Sequence, residues 1–354
     1  MRLRAVTLSL LTAALSVLSG EAEKSTLAIR GLHCFAPQKA QLGLCEKFIR
    51  EVLPKEGVNT LVLEFNYSFN YTSHPELAEK SALGTMDVKK LLKTCNDAGV
   101  KLVPQFNCLG HQSWASNTAA LLKRHPEFDE TPYVPADNKG IYCRSWCPLH
   151  PDVHKVVFDL IDELADACET DVVHVGMDEV FLIADPKCPR CGGKNPAELF
   201  AGEVKLLHDH LAEKKRTMWM WGDRFIDGKA TKIGEWEGST NGTAPAIDLV
   251  PKDIVICDWH YEKAHTTPAM FVSKGFTVVA CPWKLEKVAL DQLKMMNELA
   301  KENAGPGKPL GILHTTWTSL PEFIRAYNGE GKSKDAIASA ACFKKLFAEM
   351  RGEK

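Results

Sequence analysis

Residues 172–180 read Val-Val-His-Val-Gly-Met-Asp-Glu-Val, so two acids, Asp178 and Glu179, stand side by side after an apolar run. Carboxyls at the end of a buried strand are partly desolvated, which favours a raised pKa on one of them and suits a general acid. A structural ion pair or a pair of metal ligands is the plainer alternative. Adjacent acids fit poorly with a glycosidase whose acid and nucleophile flank the bond from opposite sides. They fit substrate assistance, in which the sugar's own 2-acetamido oxygen attacks and one carboxylate holds its N–H. Aromatic residues close several other apolar runs: Trp219, Trp221 and Asp223 end one, Asp258, Trp259, His260 and Tyr261 another, and Trp283 and Trp317 two more. Aromatic faces suit the C–H faces of sugars and an acetamido methyl, and their few rotamers cost little entropy on binding. Large rings plugging a hydrophobic core are the alternative.

Such residues need elements that bring them to one place. Short apolar or β-branched runs at 27–35, 59–65, 101–107, 172–179, 218–225, 254–260, 277–283 and 310–317 predict strands. Apolar residues recurring at three and four within 38–53, 87–97, 151–167, 196–214 and 285–301 predict helices between them. The alternation predicts an α/β fold, a (β/α)8 TIM barrel forming a single domain over residues 26–354. An open doubly wound sheet normally has fewer strands and often a Gly-rich phosphate loop after its first, which is missing here. Barrels build sites at the C-terminal ends of strands and in the loops that follow, which is where each decorated ending falls.

Composition narrows the classes further. The chain has 354 residues, 45% hydrophobic and 25% charged, which excludes disordered, collagen-like and small disulfide-scaffold proteins. A formal charge of −2 leaves no net positive field for nucleic acid or anionic lipid. Residues 1–22 read as a signal peptide, with Arg2 and Arg4 before an apolar run and small residues after it. That run is short for a bilayer, so a secreted or periplasmic protein without a membrane span is expected.

All 12 cysteines follow this leader. Cys143 with Cys147, and Cys188 with Cys191, form two close pairs that allow a tetrahedral zinc knuckle, two disulfides or reduced thiols. Four thiolates would close a structural site and leave no position for water, so neither a catalytic metal nor a cofactor is expected. Sequons begin at Asn66, Asn70 and Asn241 and matter only in a glycosylating host.

In order and spacing, these motifs resemble glycoside hydrolase family 20, the β-N-acetylhexosaminidases, whose hallmark at the end of strand four is His-x-Gly-Gly-Asp-Glu-Val. The resemblance covers most of the chain after the leader. Arg30-Gly31 resembles the family's Arg-Gly, whose Arg binds sugar hydroxyls, and Gly110-His111 resembles the Gly-His whose His sits near the acid. Trp221, in Met-Trp-Gly-Asp223, and Trp259 resemble members of the acetamido cage. Trp283, in Cys-Pro-Trp, resembles the Trp before the seventh loop, and Trp317 the remaining one. The resemblance implies that Glu179 is the general acid, that Asp178 orients the acetamido group, and that the other residues named bind sugar.

Departures accompany it. Met177 replaces the second hallmark Gly, which is tolerable if its side chain points away from the sugar. Asn107 stands for an Asp, residues 62–66 lack the family's His, and Lys284 replaces the Tyr that donates to the acetamido oxygen. Tyr261 on the neighbouring strand is the candidate substitute, against a surface Tyr packed on a helix. The accessory domain that precedes many family barrels is not expected, and segment 108–150 is expected to shape the leaving-group side. The expected activity is exo-hydrolysis of terminal β-linked GlcNAc or GalNAc from a glycan. The rivals are a non-catalytic or weakly active carbohydrate-binding protein on the same barrel and, more weakly, a zinc hydrolase.

Overall fold

The computed structural model describes residues 25–302 and 305–353. Its core is a closed barrel of strands β1 (Ile29–Phe35), β2 (Thr60–Glu64), β3 (Lys101–Cys108), β4 (Val172–Gly176), β5 (Thr217–Trp221), β6 (Val255–Trp259), β7 (Thr277–Cys281) and β8 (Lys308–Ser319). Each strand pairs in parallel with its neighbours in sequence, and β8 closes on β1. This is the predicted (β/α)8 architecture. The predicted signal peptide lies outside the described residues. Among those described, no helix is long and apolar enough to cross a membrane.

Helices Thr85–Asp97, Val153–Ala167, Pro196–Glu213 and Glu286–Glu302 lie close to their predicted positions. The helix predicted over 38–53 instead divides into Leu42–Glu51 and Leu53–Glu56. Pro54 sits in the first turn of the second piece, where its missing N–H costs nothing. Thr267–Ser273, Leu320–Tyr327 and Lys334–Arg351 extend the outer shell.

Side chains alternate across each strand, and the alternation sorts them into two cores. Val62, Val103, Val172, Val255, Val279 and Leu313 fill the barrel with Trp219, Trp221 and Trp259. Met218, Met220, Ile256 and Val278 face the helices. On β6 the same period turns Trp259 inward, while the Asp258 carboxylate turns out to accept from Thr267 Oγ1 (2.7 Å).

Two predicted strands stop well short of their predicted ends. The run 172–179 ends at Gly176 because the backbone turns left-handed at Gly176, Met177 and Glu179 (φ 68°, 73° and 48°). A Cβ on Gly176 would lie 2.5 Å from Asn107 Oδ1, so this close crossing of β3 and β4 admits only glycine. The run 218–225 ends at Trp221, after which Asp223–Phe225 forms a turn of 3-10 helix.

Candidate active site

A cavity of about 580 Å³ opens at the C-terminal mouth of the barrel. Its wall combines Phe35, Glu64 and Asn107 from the first three strands, Asp178 and Glu179 after β4, and Trp259, Tyr261, Trp283 and Trp317 from the last three. His111 and Tyr142, from the long excursion between β3 and helix Val153–Ala167, complete the acid side.

The left-handed turn after β4 aims both acids into this cavity. Asp178 is almost fully buried, and its Oδ2 lies 3.2 Å from His111 Nε2. The same nitrogen lies 3.3 Å from Glu179 Oε2, so His111 bridges the two carboxyls. Asp178 Oδ1 is also buried and finds no donor among the described residues. Leu109 and His111 are themselves left-handed (φ 61° and 55°), as is Trp317 (φ 49°). Non-glycine residues in this region cost about 1–3 kcal/mol each, and His111, Glu179 and Trp317 carry that strain in the cavity wall itself.

Burial disfavours the charged form of His111, yet the Asp178 carboxylate and hydrogen bonds to Asp178 and Glu179 hold its pKa well above the usual histidine range. A pKa raised in the folded state stabilises the fold below the unfolded value and loses that stabilisation as pH rises through the folded value. The wild-type denaturation midpoint should therefore fall more steeply above about pH 6.5 than that of His111→Gln, since other groups cancel in the difference. Parallel curves for the two chains would show that His111 does not hold this proton.

The structure brings His111, Asp178, Glu179, Trp259, Tyr261, Trp283 and Trp317 together, and corrects three other expectations. Arg30 lies near the start of β1, at the opposite end of the barrel, where its Nε donates to Gly57 O (2.8 Å) and its Nη1 to Leu27 O (3.3 Å). It cannot reach the cavity that Phe35 lines at the other end of the same strand. Trp221 is fully buried beneath the cavity, packed against His33, His174 and Trp317. The register explains this, since Trp221 pairs with Cys257, one inward layer below Trp259. Asp223 is also buried away from the cavity: its Oδ2 accepts from the Glu179 backbone N–H (3.0 Å) and from Arg224 Nε (2.6 Å). Burial pushes its carboxyl up and Arg224 pulls it back. Asp223 therefore anchors the Glu179 backbone and does not line the cavity.

The substitutions at 177 and 284 are accommodated. Met177 is fully buried in the outer core, pointing away from the cavity. Lys284 turns off the mouth, with its ammonium 4.0 Å above the Trp283 ring and 2.7 Å from Asp335. Tyr261 occupies the wall and is not a surface residue. Its ring stacks on Trp259 at 5.0 Å, and its hydroxyl oxygen accepts from Trp317 Nε1 (2.6 Å). With its oxygen accepting from Trp317 and Thr315 alongside, the hydroxyl hydrogen can turn to the Thr315 oxygen or to a ligand in the cavity.

Sequence reading missed Glu64, Asn66, Trp114 and Tyr142, all of which line the cavity. Glu64 ends β2, so the strand-end rule that singled out Asp178 applies to it equally. It accepts from Asn66 Nδ2 (2.8 Å) and Asn107 Nδ2 (3.0 Å), both from positions treated as departures, and from Gln105 Nε2 (2.9 Å). Tyr142 shares the cavity wall with Glu179, and burial, then the nearby Glu179 carboxyl, pushes its hydroxyl pKa up; it comes from an irregular loop that carries no periodic signal. Asn66 and Asn241 spend their side-chain amides inside the protein, Asn241 on the carbonyls of Val180 and Phe181, so neither sequon presents a free amide. The cysteine grouping also changes. Cys143 lies against the Glu179 carbonyl (3.6 Å), and Glu130 takes its place beside Cys147, Cys188 and Cys191.

Known proteins share this fold. The chain is 23% identical over 254 residues to a β-hexosaminidase of Vibrio furnissii, covering 69% of this chain and 34% of that protein. It is 24% identical over 235 residues to a lacto-N-biosidase of Bifidobacterium bifidum, covering 63% and 18%. The chain thus spans about a third or less of the length of these curated relatives. A chitobiase of Flavobacterium johnsoniae superposes with a TM-score of 0.64 at 17% identity, over 92% of this chain and 50% of that one. A β-N-acetylglucosaminidase of Vibrio harveyi, solved with N-acetylglucosamine, gives 0.61 at 16%, over 92% and 55%. The family model described as glycosyl hydrolase family 20, catalytic domain, matches residues 66–330, well over half of the sequence, and with the barrel and its paired acids this means that the chain belongs to that family.

Proposed function

We propose that the protein removes terminal β-linked N-acetylhexosamine from glycans by substrate-assisted hydrolysis with retention. The observation that carries this reading is Asp178 Oδ1, a buried carboxylate oxygen without a donor among the described residues, set beside Glu179 in an aromatic cavity. An acetamido N–H is the donor it lacks. The cavity also falls within the range of small-ligand sites, about 300–1,000 Å³.

In the first step the acetamido oxygen forms a bond to the anomeric carbon as the glycosidic C–O bond breaks, and Glu179 gives its proton to the departing oxygen. The product is a cationic oxazolinium, whose charge Asp178 stabilises through the N–H. In the second step Glu179 takes a proton from water, which attacks the anomeric carbon and reopens the ring. Two displacements at one carbon leave its configuration unchanged. Trp259, Trp283 and Trp317 offer apolar faces to the sugar and its methyl, and the leader-like residues 1–22 support export to the periplasm or medium.

Tyr261 aligns the attacking oxygen. Tyr261→Phe removes the donor but keeps the ring, so kcat should fall by about 100-fold while the fold is retained. An unchanged kcat would place the donor elsewhere. The reading as a whole is tested with chromogenic N-acetyl-β-glucosaminide, N-acetyl-β-galactosaminide and plain β-glucoside. Release from the acetamido sugars alone is expected, because the plain glucoside has no internal nucleophile. Equal rates would overturn the mechanism, and sugar binding without release would favour the binding protein.

A further inference from the structure

We propose that Glu130, Cys147, Cys188 and Cys191 hold one zinc ion in a closed structural site that ties together the two loops carrying the active-site residues. All four side chains are buried, and one ligand atom from each lies within 4.8 Å of the others. A tetrahedral zinc–thiolate centre with bonds of about 2.3 Å sets its sulfurs about 3.8 Å apart. Cys147 Sγ and Cys188 Sγ are 3.6 Å apart. Cys191 Sγ lies 2.7 and 2.9 Å from the two Glu130 carboxylate oxygens, and a shift of about 1 Å brings that edge to tetrahedral spacing.

The loop is shaped to deliver these ligands. Cys188 and Cys191 stand in a Cys-x-x-Cys turn, the commonest spacing of a zinc knuckle. The turn is closed by hydrogen bonds from Gly192 N to Cys188 O (3.0 Å) and from Lys194 N to Cys191 O (3.1 Å). A Cβ on Gly192 would lie 2.6 Å from Cys188 O, so the turn requires glycine. Glu130 Oε1 accepts from the Asp185 backbone N–H (2.9 Å), the kind of outer contact that orients a carboxylate ligand.

Charge supplies the independent reason. A fully buried carboxylate packed among three thiols is costly unless a cation joins it. A divalent ion that displaces the thiol protons satisfies all four groups at once, and a sulfur-rich tetrahedral set selects zinc over magnesium or calcium. Arg190, inside the Cys-x-x-Cys turn and donating to the Glu127 carbonyl (2.6 Å), adds a positive charge against the surplus negative charge. Four protein ligands leave no position for water, so the site holds structure and takes no part in hydrolysis. Glu130 and Cys147 belong to the excursion that carries His111 and Tyr142, while Cys188 and Cys191 belong to the loop that begins at Asp178 and Glu179. The ion would clamp one to the other.

The test is metal analysis of the full chain, purified without chelator from zinc-supplemented cells, alongside a non-reducing thiol map. About one zinc per chain is expected, with Cys143→Ser retaining it. The double variant Cys188→Ser, Cys191→Ser should hold at least about tenfold less. A metal-free chain with alkylatable thiols, or a Cys147–Cys188 disulfide, would overturn the proposal. Should the double variant fail to fold, wild type from cobalt-supplemented cells decides the matter: strong tetrahedral bands with thiolate charge transfer support the site, and a weak octahedral spectrum refutes it.

Discussion

Glu179→Gln is expected to lower kcat on a natural N-acetylhexosaminide by about 100-fold or more. Glutamine keeps the shape of the side chain and its backbone anchor, the Glu179 N–H held by Asp223 at 3.0 Å. It has no proton to give the departing oxygen. A sugar hydroxyl is a poor leaving group and needs that proton in the transition state, whereas an activated phenol needs it far less. The loss should therefore be larger on a disaccharide than on a nitrophenyl glycoside, a contrast that a merely structural role would not produce. Near-normal turnover of the disaccharide would remove Glu179 from the role of acid.

Asp178→Asn should also cost about 100-fold or more, chiefly in kcat. The acetamido nitrogen is neutral in the bound substrate and becomes part of a cation only as the ring forms, so the carboxylate charge is felt mainly at the transition state. Binding should change little. The position is nearly fully buried and its Oδ2 faces His111, so the thermal midpoint of the variant must be measured alongside. If KM rises and kcat stays, Asp178 only holds the substrate and the charge-stabilising role is wrong.

How much of the site was legible in the chain varies residue by residue. Asp178 and Glu179 were visible because two adjacent carboxyls at the end of a buried run carry a desolvation cost that calls for a reason. Trp259, Tyr261, Trp283 and Trp317 were visible because strand endings are where a barrel places chemistry. Glu64 met the same rule but was read as a departure. Tyr142 and Trp114 gave no signal, since they sit in an irregular excursion whose path depends on tertiary contacts. Arg30 and Trp221 were misplaced because sequence shows that a residue belongs to a strand, while its depth along the barrel axis depends on register; Asp223 was misplaced because its strand ends at Trp221 and a turn of 3-10 helix sets its carboxylate against the Glu179 backbone.

Periodicity by itself determined the alternation of strands and helices that makes the barrel, and it showed that the adjacent carboxyls of Asp178 and Glu179 follow a buried run, because these follow from burial patterns within single segments. Only the tertiary structure decided which residues share the cavity. The pairing of Trp221 with Cys257 and of Trp259 with Cys281 sets one tryptophan beneath the cavity floor and the other in its wall. The left-handed turn at Gly176, Met177 and Glu179 aims the acids, and the crossing of two loops exchanges Cys143 for Glu130 beside Cys147. Register, backbone handedness and loop crossing arise from contacts between segments far apart in the chain, and no local pattern encodes them.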